Sequence, residues 1–472
     1  MTLGLLVVLI LIIPFDVEYQ AFRKFSRALS EKFERTTLAP FRLPPAFYRI
    51  IHYHLSDVIA CLVVIFAFRS KFFRATTLFF DSPMRWLTLL FLACFCSIVF
   101  SAFSYYHYLY FTLMNLGFPI LTFSLTYQLL KDRPQLIYWI AAAIIAVAFF
   151  ESLIAIGQFI TQEKFGIYSR HNLGFATLKA TPEMRRILSF LGASIPLECA
   201  TVFRANGTFP HPNHCANFLI LSLMLSHYFI ASSQSRWQKI ALLFATALQV
   251  LALGTTFSRA GIIGYFIGLF FWNGRYLFAY QRTLYPKKEA MKFLVTRLFL
   301  SIMVPICVLA PFFHVRGGVR DYMRIVESDE WRVQSQDIAI EMFQKYPVMG
   351  IGYRCFTFCH GDFPSSYGHY PRDGNIHNIY FLFLAETGLV GLALFCAFLI
   401  ALLSDGWRRL SLFSLSFFAT FMAFLFMALC DLQFIFYQNG RLLFFITAGL
   451  LSAAGNCQKK VFQIKPLRGY SG

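Results

Sequence analysis

Apolar segments long enough to cross a bilayer recur along the whole chain, and this pattern limits the fold more than any other feature. A bilayer core takes about 20 apolar residues of helix. Of the 472 residues, 58% are hydrophobic and only 14% are charged, whereas soluble domains carry about 25% charged residues. The predicted spans are 1–15, 51–68, 86–104, 107–130, 135–160, 214–231, 238–254, 259–280, 294–313, 377–403, 410–430 and 436–455. The sequence therefore predicts an all-α integral membrane protein with about twelve transmembrane helices, forming one polytopic domain over residues 1–472.

The distribution of basic residues predicts the orientation of these spans. The formal net charge is +19, and if both termini are cytoplasmic, the short basic loops all fall on the cytoplasmic side, as the positive-inside rule requires. Such loops face anionic lipid, and since the chain has no nucleic-acid-binding motif, we expect membrane lipids and no nucleic acid among its partners. The basic segment 16–50 would then lie outside, so its side stays open; an amphipathic surface helix is one interpretation.

Two segments predicted on the outer side, residues 161–213 and 314–376, are too long to be simple connections. Both mix charged residues with Gly, Pro and aromatic residues. We expect short helices in them, because DEWRVQSQDIAIEMFQKYP has helical spacing and Pro347 would end that helix. We predict that the second loop contributes to an active site.

Two arginines stand at predicted outer helix ends. Arg204 precedes a turn rich in Gly and Pro that ends at Asn213, and Ser258 and Arg259 open the eighth span. An isolated arginine in such a place commonly extends its side chain to the lipid headgroups. A pair of arginines on the outer face, where isolated cations are disfavoured, suggests a binding site for a diphosphate. Two guanidinium groups can each bind a diphosphate in a bidentate manner and keep their charge.

His377 stands where a polar stretch turns into a long apolar helix. The dipole at a helix N-terminus opposes a positive charge there, so we expect a neutral imidazole that can act as a general base. A simple interface role is the alternative. Asn378 is expected to cap the helix or orient the ring. Glu386 lies off the face of His377, yet a carboxylate in a membrane helix is a functional candidate, with an arginine as its expected partner.

Four motifs together resemble the O-antigen ligase and O-antigen polymerase family of bacterial envelope glycosyltransferases. They are Arg-x-x-Gly-x-x-x-x-Pro-Asn at 204–213, Ser-Arg-Ala-Gly at 258–261, Pro-x-x-Gly-x-Gly at 347–352, and His-Asn-x-Tyr with Glu-x-Gly-x-x-Gly at 377–391. No single motif is specific, but their order, spacing and side of the membrane agree over roughly residues 200–400. Gln158 near the end of the fifth span and Arg332 in the outer loop fit the same pattern.

This resemblance implies a GT-C-type transferase of the bacterial inner membrane whose active site faces the periplasm. The donor would be a glycan on undecaprenyl diphosphate and the acceptor lipid A-core or a growing glycan, with no metal ion or other cofactor. His377 would deprotonate the acceptor hydroxyl in an inverting reaction, and Arg204 and Arg259 would hold the diphosphate. The supporting residues implied are Gln158, Asn213, Ser258, Arg332, Asn378 and Glu386.

Alternatives remain open at the level of the sequence. Ligase and polymerase differ only in the acceptor, and the ligase is slightly favoured. A transporter or lipid flippase belongs to another class; against it, the chain has no internal repeat and its charged residues gather at one face.

The cysteines near the outer side leave a further question open. Cys355, Cys359 and His360 do not have the spacing of structural zinc sites, so no metal site is predicted. A disulfide among Cys199, Cys215, Cys355 and Cys359 is compatible with an oxidising compartment, but sequence cannot choose among the possible pairings.

Overall fold

The structure is a computed structural model, and it describes residues 82–101, 116–131, 133–163, 177–179, 201–284, 288–315, 322–359 and 376–456, with a few isolated positions between them. The predicted spans 1–15 and 51–68, the basic segment 16–50 and the beginning of span 107–130 lie outside the described residues.

The described chain is almost entirely helical. In chain order its helices are α1 (Ser82–Val99), α2 (Phe118–Leu130), α3 (Pro134–Thr161), α4 (Pro212–Ser232), α5 (Arg236–Thr255), α6 (Arg259–Leu284), α7 (Lys288–Val315), α8 (Tyr322–Lys345), α9 (Phe356–Cys359), α10 (Ile379–Arg408), α11 (Leu412–Ala428), α12 (Gln433–Phe436) and α13 (Gln438–Asn456). Two short antiparallel strands, β1 (Thr177–Lys179) and β2 (Thr201–Phe203), pair within the first long loop, which the purely α-helical prediction did not include.

Five of the described helices are long and apolar enough to cross a membrane. They are Ser82–Val99, Gln135–Thr161, Pro212–Ser232, Arg236–Thr255 and Ile379–Arg408, and shorter apolar helices occupy Phe118–Leu130, Leu298–His314 and Leu412–Ala428. Helices α6 and α13 also coincide with predicted spans but are more polar. The described residues thus support a helical membrane protein, while the total of about twelve spans and the GT-C architecture stay predictions.

Helix α4 is the centre of the bundle. It packs against α3, α5, α6, α11 and α13, and 72% of its most apolar window is buried inside the protein. Its neighbours α6 and α11 approach each other closely at two glycines of α6, Gly264 and Gly268, where an added Cβ would lie 3.5 Å from the Ala423 carbonyl and 3.3 Å from the Ala419 carbonyl. Absence of side chains at these positions lets the two backbones meet, and both helices thereby hold their ends beside the N-terminus of α4.

The packing of α5 against α7 yields a test of the fold. A Cβ at Gly254 of α5 would lie 2.5 Å from the ring of Phe312, which is buried and stacked edge-on against Phe159 and Phe257. Because this ring has no room to move, Gly254→Ala should destabilise the protein by about 1–3 kcal/mol. Gly274→Ala is the matched control, since nothing lies within 4 Å of its added Cβ and alanine favours the helix. Thermal unfolding in detergent measures both, and equal midpoints for the two variants would contradict this packing.

Candidate active site

The side-chain amide of Asn213 joins three segments that are far apart in the sequence. Its Oδ1 accepts hydrogen bonds from Arg204 Nη2 (3.2 Å) and Ser258 Oγ (2.9 Å). Its Nδ2 donates to Asp431 Oδ2 at 2.5 Å. The beginning of α4, the beginning of α6 and the chain just after α11 therefore meet at one residue.

Arg204 follows β2 and is almost completely buried, with 6% of its surface exposed. Its Nε donates to the carbonyl oxygen of Thr256 at 3.0 Å. Burial lowers the pKa of Arg204 to about 10; Asp431 opposes this shift, and the positive charges of Arg259 and Arg332 add to it. Arg259 and Arg332 therefore both lie within electrostatic reach of Arg204.

Arg259 is the first residue of α6 and is partly exposed. Among the described residues it has no hydrogen-bond or ion-pair partner. The preceding residue, Ser258, caps the helix, because its Oγ accepts the backbone N–H of Gly261 at 3.1 Å while its own hydrogen goes to Asn213. A guanidinium group without a partner, next to a helix N-terminus, suits an anionic ligand.

His377 precedes α10, with 34% of its side chain exposed, and its Nδ1 lies 4.0 Å from Asp431 Oδ1. Asn378 is the N-cap of α10, since its Oδ1 accepts the backbone N–H groups of Tyr380 (2.9 Å) and Phe381 (3.3 Å). Of the two roles considered for Asn378, the structure assigns it the capping one. The carboxylate of Asp431 lies on the Nδ1 side of the imidazole.

Sequence reasoning missed Asp431. It lies in the short polar stretch between two apolar helices and belongs to none of the four motifs. Its Oδ1 also accepts the backbone N–H of Leu432 at 2.7 Å, so the carboxylate is fixed in place. The available signal was a lone acid at a predicted outer helix end, which is rare in a membrane protein and usually functional.

Gln158 supports the turn that carries Arg204 and does not itself join the arginines. Its Oε1 accepts the N–H groups of Asn206 (3.1 Å) and Gly207 (2.9 Å), and its Nε2 donates to the Gly207 carbonyl at 2.8 Å. Two turns earlier on α3, the buried carboxylate of Glu151 accepts both the backbone N–H (2.8 Å) and the hydroxyl (2.6 Å) of Thr208. Helix α3 therefore clamps the turn through two side chains, of which Glu151 was not anticipated.

Glu386 lies within α10, nine positions after His377. It is buried, its Oε1 accepts the backbone N–H of Phe356 at 3.1 Å, and the charge of Arg354 is within electrostatic reach. The arginine that accompanies Glu386 is thus one from the second long loop.

Three of the four cysteines considered for a disulfide lie in the described part of the chain. Cys215, Cys355 and Cys359 are free thiols in this structure, while Cys199 and the nearby His360 lie outside the described residues. Burial raises the pKa of the Cys355 thiol, and Cys359 and Glu386 add to this effect. A disulfide among the three described cysteines is therefore not formed. No group of three or more His, Cys, Asp or Glu side chains that could hold a metal ion occurs in the described ranges.

The residues that meet around Asn213 lie at one end of the helical bundle, where α3, α5 and α11 end and α4, α6 and α10 begin. They are Arg204, Ser258, Arg259, His377 and Asp431. Three pairs of basic residues lie at the opposite ends of α3, α5 and α10. They are Lys131 and Arg133 before α3, Arg236 and Lys239 at the start of α5, and Arg408 and Arg409 at the end of α10. The candidate site and the basic loops therefore occupy opposite ends of the bundle.

Comparison with known proteins gives one family match. Residues 221–396 match the family model described as O-antigen ligase. The predicted resemblance to the O-antigen ligase family is confirmed. The region that matches this family includes Ser258, Arg259, Arg332, His377 and Glu386, whereas Arg204, Asn213 and Asp431 lie outside it. No curated protein sequence matches the chain.

The lowered pKa of Arg204 leads to a prediction about ligand binding. Its guanidinium loses charge as the pH rises through about 10 in the free protein, whereas a bound diphosphate would favour the charged form. Affinity for an isoprenyl diphosphate should therefore be constant below about pH 9 and fall above about pH 10, approaching tenfold per pH unit for one linked proton. Binding isotherms in detergent measure this. The Arg204→Gln control should bind more weakly and without that fall, and a flat wild-type curve through this range would refute the assignment.

Proposed function

We propose that this chain is an inverting glycosyltransferase that moves a glycan from undecaprenyl diphosphate to an acceptor hydroxyl at the periplasmic face of the inner membrane, with lipid A-core as the acceptor. The observation that carries the proposal is the convergence of two kinds of group at one end of the bundle. One is the cluster of Arg204, Arg259 and Arg332; the other is the pair of His377 and Asp431.

The arginine cluster is suited to the diphosphate of the donor. Guanidinium groups bind phosphate oxygens in a bidentate manner and remain charged at neutral pH. Arg204 is fixed by Thr256 and Asn213, so it does not need to be ordered when ligand binds, and Arg259 has its donors available. The cluster supplies positive charge of the kind that a divalent cation supplies in other transferases, and we propose that no metal ion or other cofactor takes part.

The pair of His377 and Asp431 is suited to proton abstraction. With the carboxylate beside Nδ1, the neutral ring carries its hydrogen on Nδ1 and leaves Nε2 as the acceptor. The carboxylate also stabilises the imidazolium that forms when the ring takes a proton. The separation of 4.0 Å is longer than a hydrogen bond, as is common for catalytic pairs before substrate binds.

The proposed step is a single displacement. His377 Nε2 takes the proton of the acceptor hydroxyl, and the oxygen attacks the anomeric carbon on the side opposite the diphosphate. The bond between that carbon and the diphosphate oxygen breaks, and its electron pair leaves with undecaprenyl diphosphate. The configuration at the anomeric carbon inverts. Arg204, Arg259 and Arg332 stabilise the charge that develops on the leaving group, which is the largest contribution expected from the protein.

The charge distribution supports a periplasmic site. The basic residues at the far ends of α3, α5 and α10 mark those ends as cytoplasmic by the positive-inside rule. The end that carries His377 and the arginine cluster would then face the periplasm, where a lipid-linked donor and a periplasmic acceptor can meet.

The nature of the acceptor is tested by deleting the gene from the producing bacterium. A ligase mutant accumulates complete polymer on the lipid carrier and leaves lipid A-core uncapped. Lipid A-core that carries single repeat units would instead identify a polymerase. Lipid-linked repeat units retained on the cytoplasmic side, with no polymer formed, would identify a transporter.

The chemistry is tested with purified protein, lipid-linked glycan and acceptor. His377→Ala should lower the transfer rate by about 10²- to 10⁴-fold, the contribution typical of a general base, and should leave donor binding intact. Asp431→Asn should also lower the rate, because the amide cannot stabilise the imidazolium. His227→Ala is the matched control, since this histidine bonds to Tyr265 near the other end of α4. A normal transfer rate in His377→Ala would remove the base from the mechanism.

A further inference from the structure

The lengths of α10 and α11 show that α10 must change direction to bring His377 to Asp431. The two helices are joined by residues 409–411, so their joined ends lie together. From there, 30 residues of α10 and 17 residues of α11 lead to the same site. At 1.5 Å per residue the straight lengths are about 45 Å and about 26 Å. Two straight antiparallel helices of these lengths could not place their far ends side by side.

The change of direction occurs at Gly388, which has φ 61° and ψ −161° inside α10. The part after it, residues 389–408, is about 30 Å long and can cross a bilayer by itself. The part before it leads over α11, as the contact between the Tyr380 hydroxyl and the Leu425 carbonyl (3.5 Å) indicates. The bend therefore carries His377 from the end of a membrane helix to the centre of the site.

A loop from the preceding segment holds the bend. The N–H groups of Leu389 and Val390 donate to the carbonyls of Pro347 (2.8 Å) and Val348 (3.3 Å), and those of Ile351 and Gly352 donate to the carbonyls of Ala385 (3.0 Å) and Glu386 (2.9 Å). These bonds replace the helical ones that the break removes, which a membrane helix requires. The contact is too close for side chains: an added Cβ at Gly388 would lie 2.4 Å from the Val348 carbonyl, and one at Gly350 would lie 2.4 Å from the backbone of Glu386.

The carboxylate of Glu386 adds another hydrogen bond between α10 and the segment that follows the loop. It is 2% exposed, and its bond to the N–H of Phe356 holds the chain just after the loop, at the start of α9. On the other side, Ser97 of α1 accepts the N–H of Tyr353 at 3.1 Å. The bent part of α10, the loop and α1 are thus fixed to one another.

We infer that Glu386 and Gly388, with the loop of residues 347–352, are positioning residues that set His377 opposite Asp431. This inference rests on the proposed function. Neither residue touches the reacting atoms. Their effect passes along the short helical segment between the bend and His377, and a change of direction there displaces the base while Arg204 and Arg259 keep their places on other elements.

Gly388→Ala is the first test. A base displaced by about 1 Å costs on the order of 10²-fold in rate, so kcat should fall by about that factor while KM for the donor changes by less than about threefold. Gly274→Ala is the matched control, a helical glycine with open space around its added Cβ. A folded Gly388→Ala protein with normal kcat, alongside an inactive His377→Ala protein, would overturn this inference and leave the proposed function standing.

Glu386 provides a second test that does not depend on Gly388→Ala folding. Glu386→Gln keeps an oxygen that can accept the Phe356 N–H and should retain kcat within about threefold, whereas Glu386→Leu removes the acceptor and should lower kcat by about 10²-fold. Thermal unfolding of both variants checks that they are folded. If Glu386→Gln is as slow as Glu386→Leu, the charge or proton of Glu386 is needed in the reaction and the positioning role is wrong.

Discussion

The amide of Asn213 is the contact on which the site depends, because it stands between a buried cation and a buried anion. Its oxygen binds Arg204 and its nitrogen binds Asp431. A direct ion pair between Arg204 and Asp431 would neutralise both charges and leave few hydrogen-bonding groups for a substrate. With a neutral amide between them, the two charges are not paired directly. In the proposed function the guanidinium is then available to a diphosphate, while the carboxylate keeps an oxygen near His377. An amide is suited to this place since it donates and accepts at once.

Holding a guanidinium that is 6% exposed has a cost in free energy, because the charge is taken out of water. The protein offsets part of this cost through the Thr256 carbonyl and Asn213, and it makes the turn after Arg204 rigid from the side of α3. Glu151 and Gln158 together bind three successive residues of that turn. In the proposed function such a clamp holds the cation in place before ligand binds, which is the preorganisation that electrostatic catalysis needs.

Apolar runs were sufficient to predict most described helices, because a membrane helix must satisfy its backbone internally and so leaves a long uninterrupted signature. The motifs likewise contain Arg204, Arg259 and His377, which lie at one end of the bundle. The sequence could not show which distant residues contact one another in the fold. Asp431 lies outside every motif, and Glu151 lies inside a predicted span, where it binds a turn more than fifty positions away. Neither contact follows from periodicity or spacing, since both depend on which helix ends meet.

The two glycine-containing motifs in the family region illustrate the same limit from the other side. As sequence they are separate patterns, Pro-x-x-Gly-x-Gly at 347–352 and Glu-x-Gly-x-x-Gly at 386–391. In the structure they are the two halves of one contact, in which backbone pairs with backbone at a broken membrane helix. Gly350 and Gly388 are required at the same interface because each leaves room for the other strand of the contact. In the proposed mechanism, these two glycine-rich motifs support the base, His377, and lie at a distance from the substrate itself.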